Sequence, residues 1–414
     1  MIQSVLTSPI LQNWQFLINI YLQTYKTVTK GAMDMAGMVL PIISSAVRSP
    51  WFKATRDLTT AYGDHEGRLT PITFERSIVE EYRVLRTKAG IFDVPEVPLE
   101  IRGPDAAAFL DYVFTRPVST MVVGRGRYAL MCHHGGGITC DGVVFRLAED
   151  WFWYVHADRD VFTWLHALKP GYDVEIRDPG AWAIQVQGPN SLEILDSCVD
   201  GGAPEEFKYY HSRQVTMGGQ SVLISRTGWT AELGFEVYNM DPNVDGIALW
   251  SHLMAAGRPH GMEILSTYAM NPRRIEAGIM NYGTDMAWDT TPFDLGLGDF
   301  VNFDHDFVGR EALLSAERKP RFSGFTTEAS DVKWCSPVLS GGHTVGQVKA
   351  FESSPTLGMG IGYVLFDTPA AMSANTFTVK GRDGNEYPLA LHALPFFDAD
   401  KRIPRGLKVM EFKG

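Results

Sequence analysis

The sequence predicts an α+β protein that ends in an all-β domain. From Arg48 onward, short strands alternate with short amphipathic helices. One strand–turn–helix pattern occurs twice in this part of the chain, which indicates two related α+β modules. After about residue 320, short strands are separated by Gly, Pro and Ser, a pattern typical of a small β-barrel or sandwich. We therefore expect residues 48–320 to hold the two modules and residues 321–414 the all-β domain.

Length, charge and cysteine content exclude several classes of protein. A chain of 414 residues is too long for one ordinary core and indicates two or three domains. The formal net charge of -11 argues against a nucleic-acid-binding surface, although a local basic funnel for an anionic ligand remains open. Four cysteines are too few for a disulfide scaffold, so we expect a cytoplasmic protein.

Residues 1–47 differ from the rest of the chain and are predicted to be an N-terminal extension. The extension contains two apolar stretches, 10–25 and 35–47, which are interrupted by Gln, Asn or Pro. Neither stretch reaches the roughly 18–20 uninterrupted apolar residues that span a bilayer. We therefore expect no stable membrane insertion.

The repeated pattern consists of a strand, a Gly-Pro turn and a helix. The first copy joins the strand 99–102 through Gly103-Pro104 to a helix, and the second joins 183–186 through Gly188-Pro189 to another. Proline in the first turn, with Asp, Asn or Ser beside it, is a helix-start signature. The two copies lie 85 residues apart.

A β-hairpin is predicted between the two copies. Residues 141–147 alternate in polarity, Ala148-Glu149-Asp150 forms a turn, and residues 151–157 form the returning strand. A helix follows with one apolar face, which we expect to belong to the core rather than to a cofactor site. That face carries Val161, Trp164, Leu165 and Leu168.

The segment 225–238 carries the first candidate binding residue. A Gly- and Thr-rich turn leads into a short alternating strand that places Glu236 and Tyr238 on one face and Phe235 and Val237 on the other. A carboxylate fixed on a strand can accept two parallel N–H donors from a planar heterocycle. Aromatic side chains, Trp229 and Tyr238, are placed to cover the faces of such a ring. An exposed glutamate on a hairpin is the alternative.

Several motifs, taken in order along the chain, resemble the folate-dependent aminomethyltransferase (glycine-cleavage T-protein) family. The resemblance covers roughly residues 48–405. The motifs are Lys88-Ala89-Gly90-Ile91-Phe92-Asp93-Val94, Gly135-Gly136-Gly137-Ile138-Thr139-Cys140-Asp141, Ile184-Gln185-Val186-Gln187-Gly188-Pro189-Asn190, Ser225 to Tyr238, Arg274-Ile275-Glu276-Ala277-Gly278, Tyr282-Gly283-Thr284-Asp285, Phe307-Val308-Gly309-Arg310-Glu311-Ala312-Leu313 and Leu394-Pro395-Phe396-Phe397-Asp398.

The resemblance implies a three-domain ring around a central channel that binds tetrahydrofolate, with a C-terminal β-barrel at 321–414. It assigns Glu236 to the amino-pterin edge and Arg274 to the folate as a cation. It also places Tyr128 and Trp229 at the pterin slot, and Asp141 near the N5 reaction centre as the catalytic residue. Tyr238 completes the set of candidate cofactor-binding residues.

Departures from the family pattern bear on the substrate. The usual paired aspartates become Cys140-Asp141, the usual His-Met after the "FDV" stretch becomes Pro95-Glu96, and "YTGE" becomes Trp229-Thr230-Ala231-Glu232. The Asp of "DxLRxEAG" becomes Asn271. These changes favour the branch of tetrahydrofolate-dependent demethylases, with dimethylsulfoniopropionate demethylases as the nearest resemblance. An aminomethyltransferase, an O-demethylase of methoxylated aromatics and a non-catalytic folate-binding protein are the alternatives.

The expected partner is therefore a small methyl donor. A sulfonium methyl leaves a neutral thioether, so the enzyme needs alignment and desolvation more than a strong acid. Aromatic faces suit a cationic donor, and the candidate substrate residues are Trp51, Phe52 and Tyr62. A homodimer is one open alternative for the oligomeric state.

We predict no metal site. Cys132, His133, His134 and Cys140 lie close together in sequence, but their spacing matches no zinc pattern.

Overall fold

This computed structural model describes residues 47–407, apart from 60, 66, 75, 158 and 159. The predicted N-terminal extension, up to residue 46, lies outside the described residues. Within the described part of the chain, no helix has both the length and the apolar character needed to cross a membrane.

The strands are short and distributed over the whole described chain. In order they are β1 (Val47–Arg48), β2 (Ala61–His65), β3 (Arg68–Thr73), β4 (Ala89–Val94), β5 (Val97–Arg102), β6 (Arg125–Cys132), β7 (Ile138–Ala148), β8 (Trp151–His156), β9 (Glu175–Arg177), β10 (Ala183–Gln187), β11 (Ser212–Met217), β12 (Gln220–Ser225), β13 (Gly234–Asn239), β14 (Met262–Ile264), β15 (Phe322–Thr327), β16 (Pro337–Ser340), β17 (His343–Ser354), β18 (Met359–Phe366), β19 (Phe377–Lys380) and β20 (Glu386–His392).

Helices alternate with the strands in the first two thirds of the chain. They are α1 (Phe52–Thr55), α2 (Ile78–Thr87), α3 (Ala106–Val113), α4 (Val161–Leu168), α5 (Ser191–Cys198), α6 (Gly246–Gly257), α7 (Met270–Glu276) and α8 (Arg310–Ser315). The predicted hairpin is confirmed as β7 and β8. The apolar face of α4 belongs to the core, as expected, because Val161 and Leu165 are buried there.

Three open sheets and one barrel contain these strands. A three-stranded sheet has the order β1-β3-β2, and a six-stranded sheet has the order β11-β12-β13-β10-β4-β14. A five-stranded sheet has the order β6-β7-β8-β5-β9. Strands β15 to β20 close into a barrel, which decides between the barrel and the sandwich. The mixed α and β architecture with a C-terminal barrel confirms the predicted fold.

The six-stranded sheet has one face towards helices and one towards the five-stranded sheet. Phe235 and Val237 pack with residues of α5 and α6 in a buried core. Tyr238, from the opposite face of β13, packs with Phe145 and Trp153 of the five-stranded sheet. The predicted alternation along β13 is confirmed, and it turns Glu236 towards the space between the two sheets.

The two copies of the Gly-Pro pattern lie in different sheets. β5 leads into α3 and β10 leads into α5, each through a glycine with positive φ: +140° at Gly103 and +131° at Gly188. A Cβ on either glycine would lie 2.5 or 2.6 Å from a backbone carbonyl oxygen, that of Asp173 or of Lys88. Only glycine fits this close approach, which accounts for the repeated Gly-Pro.

A buried ion cluster joins α2, the turn before β13, and α7. The carboxylate of Glu232 forms an ion pair with Arg86, whose Nε lies 2.8 Å from Oε1, and accepts a hydrogen bond from Arg273 Nε at 2.6 Å. Glu276 extends the cluster to the barrel by accepting from Tyr82 and from Ser354 of β17. The cluster therefore connects the α+β part of the chain to the barrel.

Asp93 fastens the first described segment to β4. Its carboxylate accepts from Trp51 Nε1 at 2.7 Å and from Ser49 Oγ at 2.9 Å. Burial raises the pKa of Asp93 from 3.8 to about 7, against the opposing effect of these two donors. The folded protein therefore holds this proton over a pH range in which the unfolded chain has lost it.

We expect Asp93→Asn to remove a pH-dependent part of the stability. With the folded pKa raised, the contribution of Asp93 is fully present below pH 4 and is lost as the pH rises through 7. The asparagine can still accept from Trp51 and can donate to Ser49, and it does not titrate. Urea unfolding measures the free energy of unfolding at pH 5 and at pH 8. Between these two pH values, we expect wild type to lose on the order of 2 kcal/mol more of this free energy than the variant loses. If the difference in free energy of unfolding between the two proteins were the same at pH 5 and pH 8, this role for Asp93 would be contradicted.

Candidate functional site

A single large cavity brings together most of the predicted site residues. Its volume is about 1370 Å³, which exceeds the ~300–1,000 Å³ of ordinary ligand sites and leaves room for two small molecules. Its walls come from both facing sheets and from the segment after β20. These include Val94, Gln185, Glu236 and Tyr238 from the first sheet, Tyr128, Asp141, Val143 and Val155 from the second, and Pro395, Phe397 and Arg405 from the C-terminal segment.

Glu236 lies on the cavity wall in a network of hydrogen-bond donors. Its Oε2 accepts from Tyr238 at 2.8 Å, from Ser225 Oγ at 3.1 Å and from Thr227. Its Oε1 accepts from Gln185 Nε2 at 2.9 Å. Burial raises the pKa of Glu236, and the three hydroxyl donors oppose this rise. The side chain is thus held as a fixed acceptor, unlike the exposed glutamate of the alternative interpretation.

Gln185 links Glu236 to a second carboxylate. Strand pairing sets Gln185 directly opposite Glu236 on one side and opposite Phe92 of β4 on the other. Its Nε2 also donates to Glu96 Oε1 at 2.6 Å, just beyond the end of β4. Burial raises the pKa of Glu96 to about 8, and the charge of Glu236 adds to the rise. The cavity therefore holds two carboxylates on either side of one amide.

Asp141 and Tyr128 face Glu236 from the five-stranded sheet. The two residues lie on paired strands, and Tyr128 donates its hydroxyl to Asp141 Oδ2 at 2.9 Å. Tyr128 packs edge-on against Phe300, with ring centroids 5.1 Å apart. Burial raises the pKa of Tyr128 well above its usual value, with a further rise from Asp141, so its hydroxyl stays protonated as a donor.

Arg274 does not line the cavity, contrary to the predicted contact with folate. It forms an ion pair with buried Asp285 and donates from Nε to Asn271 Oδ1 at 3.3 Å. Its guanidinium lies 5.2 Å from the ring centroid of Trp229, which does line the cavity. Arg274 therefore acts on the cavity through Trp229.

Tyr238 contributes its hydroxyl rather than a ring face. The ring lies edge-on to Phe145 and Trp153, at 6.2 and 6.3 Å between centroids, and only 1% of the residue is exposed. Its hydroxyl donates to Glu236, as described above. Tyr238 thus fixes the carboxylate from within the core.

The three predicted substrate residues lie away from this cavity. Trp51 is fully buried in the core against Trp250, so its assignment as a donor contact is corrected to a packing role. Phe52 packs on Tyr62 with ring centroids 5.3 Å apart, and the guanidinium of Arg48 lies 4.9 Å from the Phe52 ring. Tyr62 belongs to the three-stranded sheet β1-β3-β2, and the residues of that sheet that line the cavity are His65 and Ile72.

Cationic side chains also line the cavity, although the chain as a whole is acidic. Burial lowers the pKa of Arg127, with Arg116 adding to the effect, and burial also lowers the pKa of Lys401. The set that lines the cavity includes Arg116, Arg125, Arg127, Lys208, Lys401 and Arg405. This set matches the basic funnel that the net charge left open.

Within the described part of the chain, no group of three or more His, Cys, Asp or Glu side chains could hold a metal ion. His133 stacks on Trp288 at 4.1 Å between ring centroids, and its Nε2 lies 2.9 Å from the Trp288 carbonyl oxygen. Cys132 is buried, and burial raises the pKa of its thiol.

The sequence did not single out four of the residues around Glu236 as site residues: Glu96, Gln185, Ser225 and Thr227. Gln185 carried a usable signal, because a polar residue in the middle of the apolar strand β10 needs a buried partner. Glu96 was noted only as a departure from the family pattern.

Two family models match the chain. The model described as "GCVT N-terminal domain" matches residues 51–305, and "Glycine cleavage T-protein C-terminal barrel domain" matches residues 321–398. An aminomethyltransferase of Streptomyces avermitilis is 36% identical over 361 residues, which cover 84% of this chain and 96% of the relative. An aminomethyltransferase of Thermotoga maritima is 33% identical over 333 residues, which cover 77% of this chain and 89% of the relative.

A solved structure supports the fold. The glycine cleavage system aminomethyltransferase T from Bartonella henselae superposes with a TM-score of 0.76 at 24% identity, covering 85% of this chain and 98% of the other. The names of these relatives fit the aminomethyltransferase alternative, and they do not show the resemblance to dimethylsulfoniopropionate demethylases. The chain belongs to the glycine-cleavage T-protein family of aminomethyltransferases, whose members use tetrahydrofolate.

Proposed function

We propose that this protein transfers a one-carbon unit to tetrahydrofolate in the cavity between the two sheets. The observation that carries the proposal is the placement of Glu236 and Asp141 on opposite walls of one cavity, each held by a tyrosine hydroxyl. One wall offers a fixed acceptor for a heterocycle, and the other offers a carboxylate for the reacting group.

The residues present fit tetrahydrofolate. Ser225 and Thr227 lie within hydrogen-bonding distance of each other, so one hydroxyl can donate to the other and free an acceptor site on Glu236. That site can receive the N–H groups of the amino-pterin edge. Trp229 offers an aromatic surface, and the cationic residues suit the carboxylates of the glutamate tail.

Asp141 is proposed as the residue next to the reacting atoms. When bound, tetrahydrofolate supplies N5, the atom that receives the one-carbon unit. The Asp141 carboxylate can accept a proton at Oδ1 or stabilise positive charge there, while Tyr128 holds Oδ2.

Aminomethyl transfer is the first candidate reaction. It is supported by relatives named aminomethyltransferase that match most of this chain. The sequence departures had favoured demethylation; of the segment 229–232, Trp229 and Ala231 line the cavity, whereas Glu232 pairs with Arg86 and Arg273.

Demethylation of a sulfonium such as dimethylsulfoniopropionate is the second candidate. Cys140 is buried in the core on the far side of β7, so Asp141 alone represents the family's paired aspartates at the cavity. A single carboxylate suffices when the leaving group is neutral, because no strong acid is needed.

Product analysis separates the two candidates. Purified protein with tetrahydrofolate should form methylene-tetrahydrofolate from an aminomethylated lipoyl carrier if the first is correct. Formation of 5-methyl-tetrahydrofolate from a panel of sulfonium, betaine and methoxy-aromatic compounds would support demethylation. Binding of tetrahydrofolate without turnover of any donor would instead favour the non-catalytic alternative.

Asp141→Asn is expected to lower kcat by roughly 100-fold while leaving tetrahydrofolate affinity nearly unchanged. The asparagine still accepts from Tyr128, so the local structure should persist. Tyr128→Phe should cause a smaller loss, because it frees the carboxylate without removing it. Steady-state kinetics beside a direct binding titration measures both effects, and an unchanged kcat in Asp141→Asn would refute the role of Asp141.

A further inference from the structure

Glu96 is the polar group in the cavity that the proposed reaction does not use. Its Oε1 accepts from Gln185, but its Oε2 is buried without a hydrogen-bond partner among the described residues. Burial of an unsatisfied polar atom is destabilising. When Glu96 is ionised, its Oε2 therefore lacks a donor or a cation in the described part of the chain.

The nearest cation does not neutralise this carboxylate directly. Arg68 donates through NH1 to the backbone carbonyls of Glu96 and Ala181, each at 3.0 Å. Its guanidinium also lies 4.1 Å from the ring centroid of Trp182. Arg68 is thus held behind the Glu96 backbone, and its charge only weakly opposes the raised pKa of the carboxyl group.

Two buried carboxylates beside one amide disfavour each other's ionised form. Glu236 and Glu96 both have raised pKa values because of burial, and the charge of Glu236 raises that of Glu96 further. A neutral pterin edge satisfies one carboxylate through its N–H groups but offers no positive charge to the second. A positively charged molecule beside Glu96 would favour its ionised form.

We infer that Glu96 binds the positive charge of the one-carbon donor, next to the tetrahydrofolate held by Glu236. This inference rests on the proposed function and narrows its donor to cations: an ammonium, a sulfonium or a quaternary ammonium. Neutral methoxylated aromatics fall outside that class. Glu96 stands where the family pattern has His-Met, so it is a specificity determinant of this chain rather than of the family's general site.

The test uses the full-length protein and two small cations, trimethylsulfonium and tetramethylammonium, with tert-butanol as a neutral probe of similar size. NMR titration measures Kd in the millimolar range, with and without tetrahydrofolate. Wild type should bind both cations more tightly than tert-butanol. Glu96→Gln should weaken cation binding at least tenfold, leave tert-butanol binding unchanged and change tetrahydrofolate affinity less than threefold.

Two further variants complete the design. Glu96→Asp keeps the charge and should retain part of the cation preference, whereas Glu175→Gln removes an exposed strand carboxylate and should change nothing. Thermal unfolding confirms that each variant is folded.

Two outcomes would overturn the inference. One is a loss of tetrahydrofolate affinity in Glu96→Gln as large as in Glu236→Gln, which would place Glu96 in pterin recognition. The other is the absence of a cation preference in wild type or of any effect of Glu96→Gln on it. Failure of the proposed function looks different, because wild type would then either not bind tetrahydrofolate or bind it without turning over any donor.

Discussion

Replacing Glu232 by alanine is expected to destabilise the protein by about 3–5 kcal/mol. The side chains of Arg86, Glu232 and Arg273 are only 1%, 4% and 1% exposed. Removal of the carboxylate leaves two buried guanidinium groups without their shared partner. Glu276 lies 3.8 Å from Arg273 NH1 and can compensate only in part. Urea unfolding followed by circular dichroism at pH 7 gives the free energy of unfolding of both proteins.

The matched control is Glu149→Ala. Glu149 also pairs with an arginine, Arg146, but its side chain is 86% exposed. Exposed pairs contribute little, because water and salt screen them. We therefore expect the control to unfold close to wild type. A loss below about 1 kcal/mol in Glu232→Ala would contradict a structural role for the buried cluster.

Replacing Glu236 by glutamine is expected to weaken tetrahydrofolate binding by roughly 30- to 150-fold, which corresponds to about 2–3 kcal/mol. The amide keeps the shape of the side chain and can still accept from Tyr238. It replaces one acceptor oxygen by a donor, so it cannot take two N–H groups from the pterin edge. Fluorescence or calorimetric titration with tetrahydrofolate measures the effect.

Glu175→Gln is again the control, since it removes an exposed strand carboxylate outside the cavity. The thermal midpoint of Glu236→Gln should stay near that of wild type, because the amide oxygen can take the place of Oε2 and still accept from Tyr238, Ser225 and Thr227. An unchanged tetrahydrofolate affinity in a folded variant would refute the assignment of Glu236.

Local patterns in the sequence predicted the elements that position the site. The alternation along β13 correctly placed Glu236 and Phe235 on opposite faces of the strand. The turn at residues 148–150 correctly placed the β7–β8 hairpin. The two Gly-Pro turns correctly marked the starts of α3 and α5. Each of these features depends on residues close together in the chain, so it could be recognised without knowledge of the tertiary contacts.

Side-chain partners across long sequence separations could not be predicted in this way. Gln185 reaches Glu236 over 51 residues and Glu96 over 89, because β10 pairs with β13 on one side and with β4 on the other. Arg274 was expected at the ligand, but in the folded protein its guanidinium forms an ion pair with Asp285. Trp51 was expected at the donor, but the fold buries it against Trp250.

The sequence by itself determined the family and the strand alternation at Glu236. Only the tertiary structure decided that Glu96 joins Glu236 across Gln185, and that Arg274 and Trp51 do not line the cavity. The physical reason is that residue type and local periodicity fix which face of a strand a side chain takes. The charge, burial and partners it meets there depend on which distant strands lie beside it.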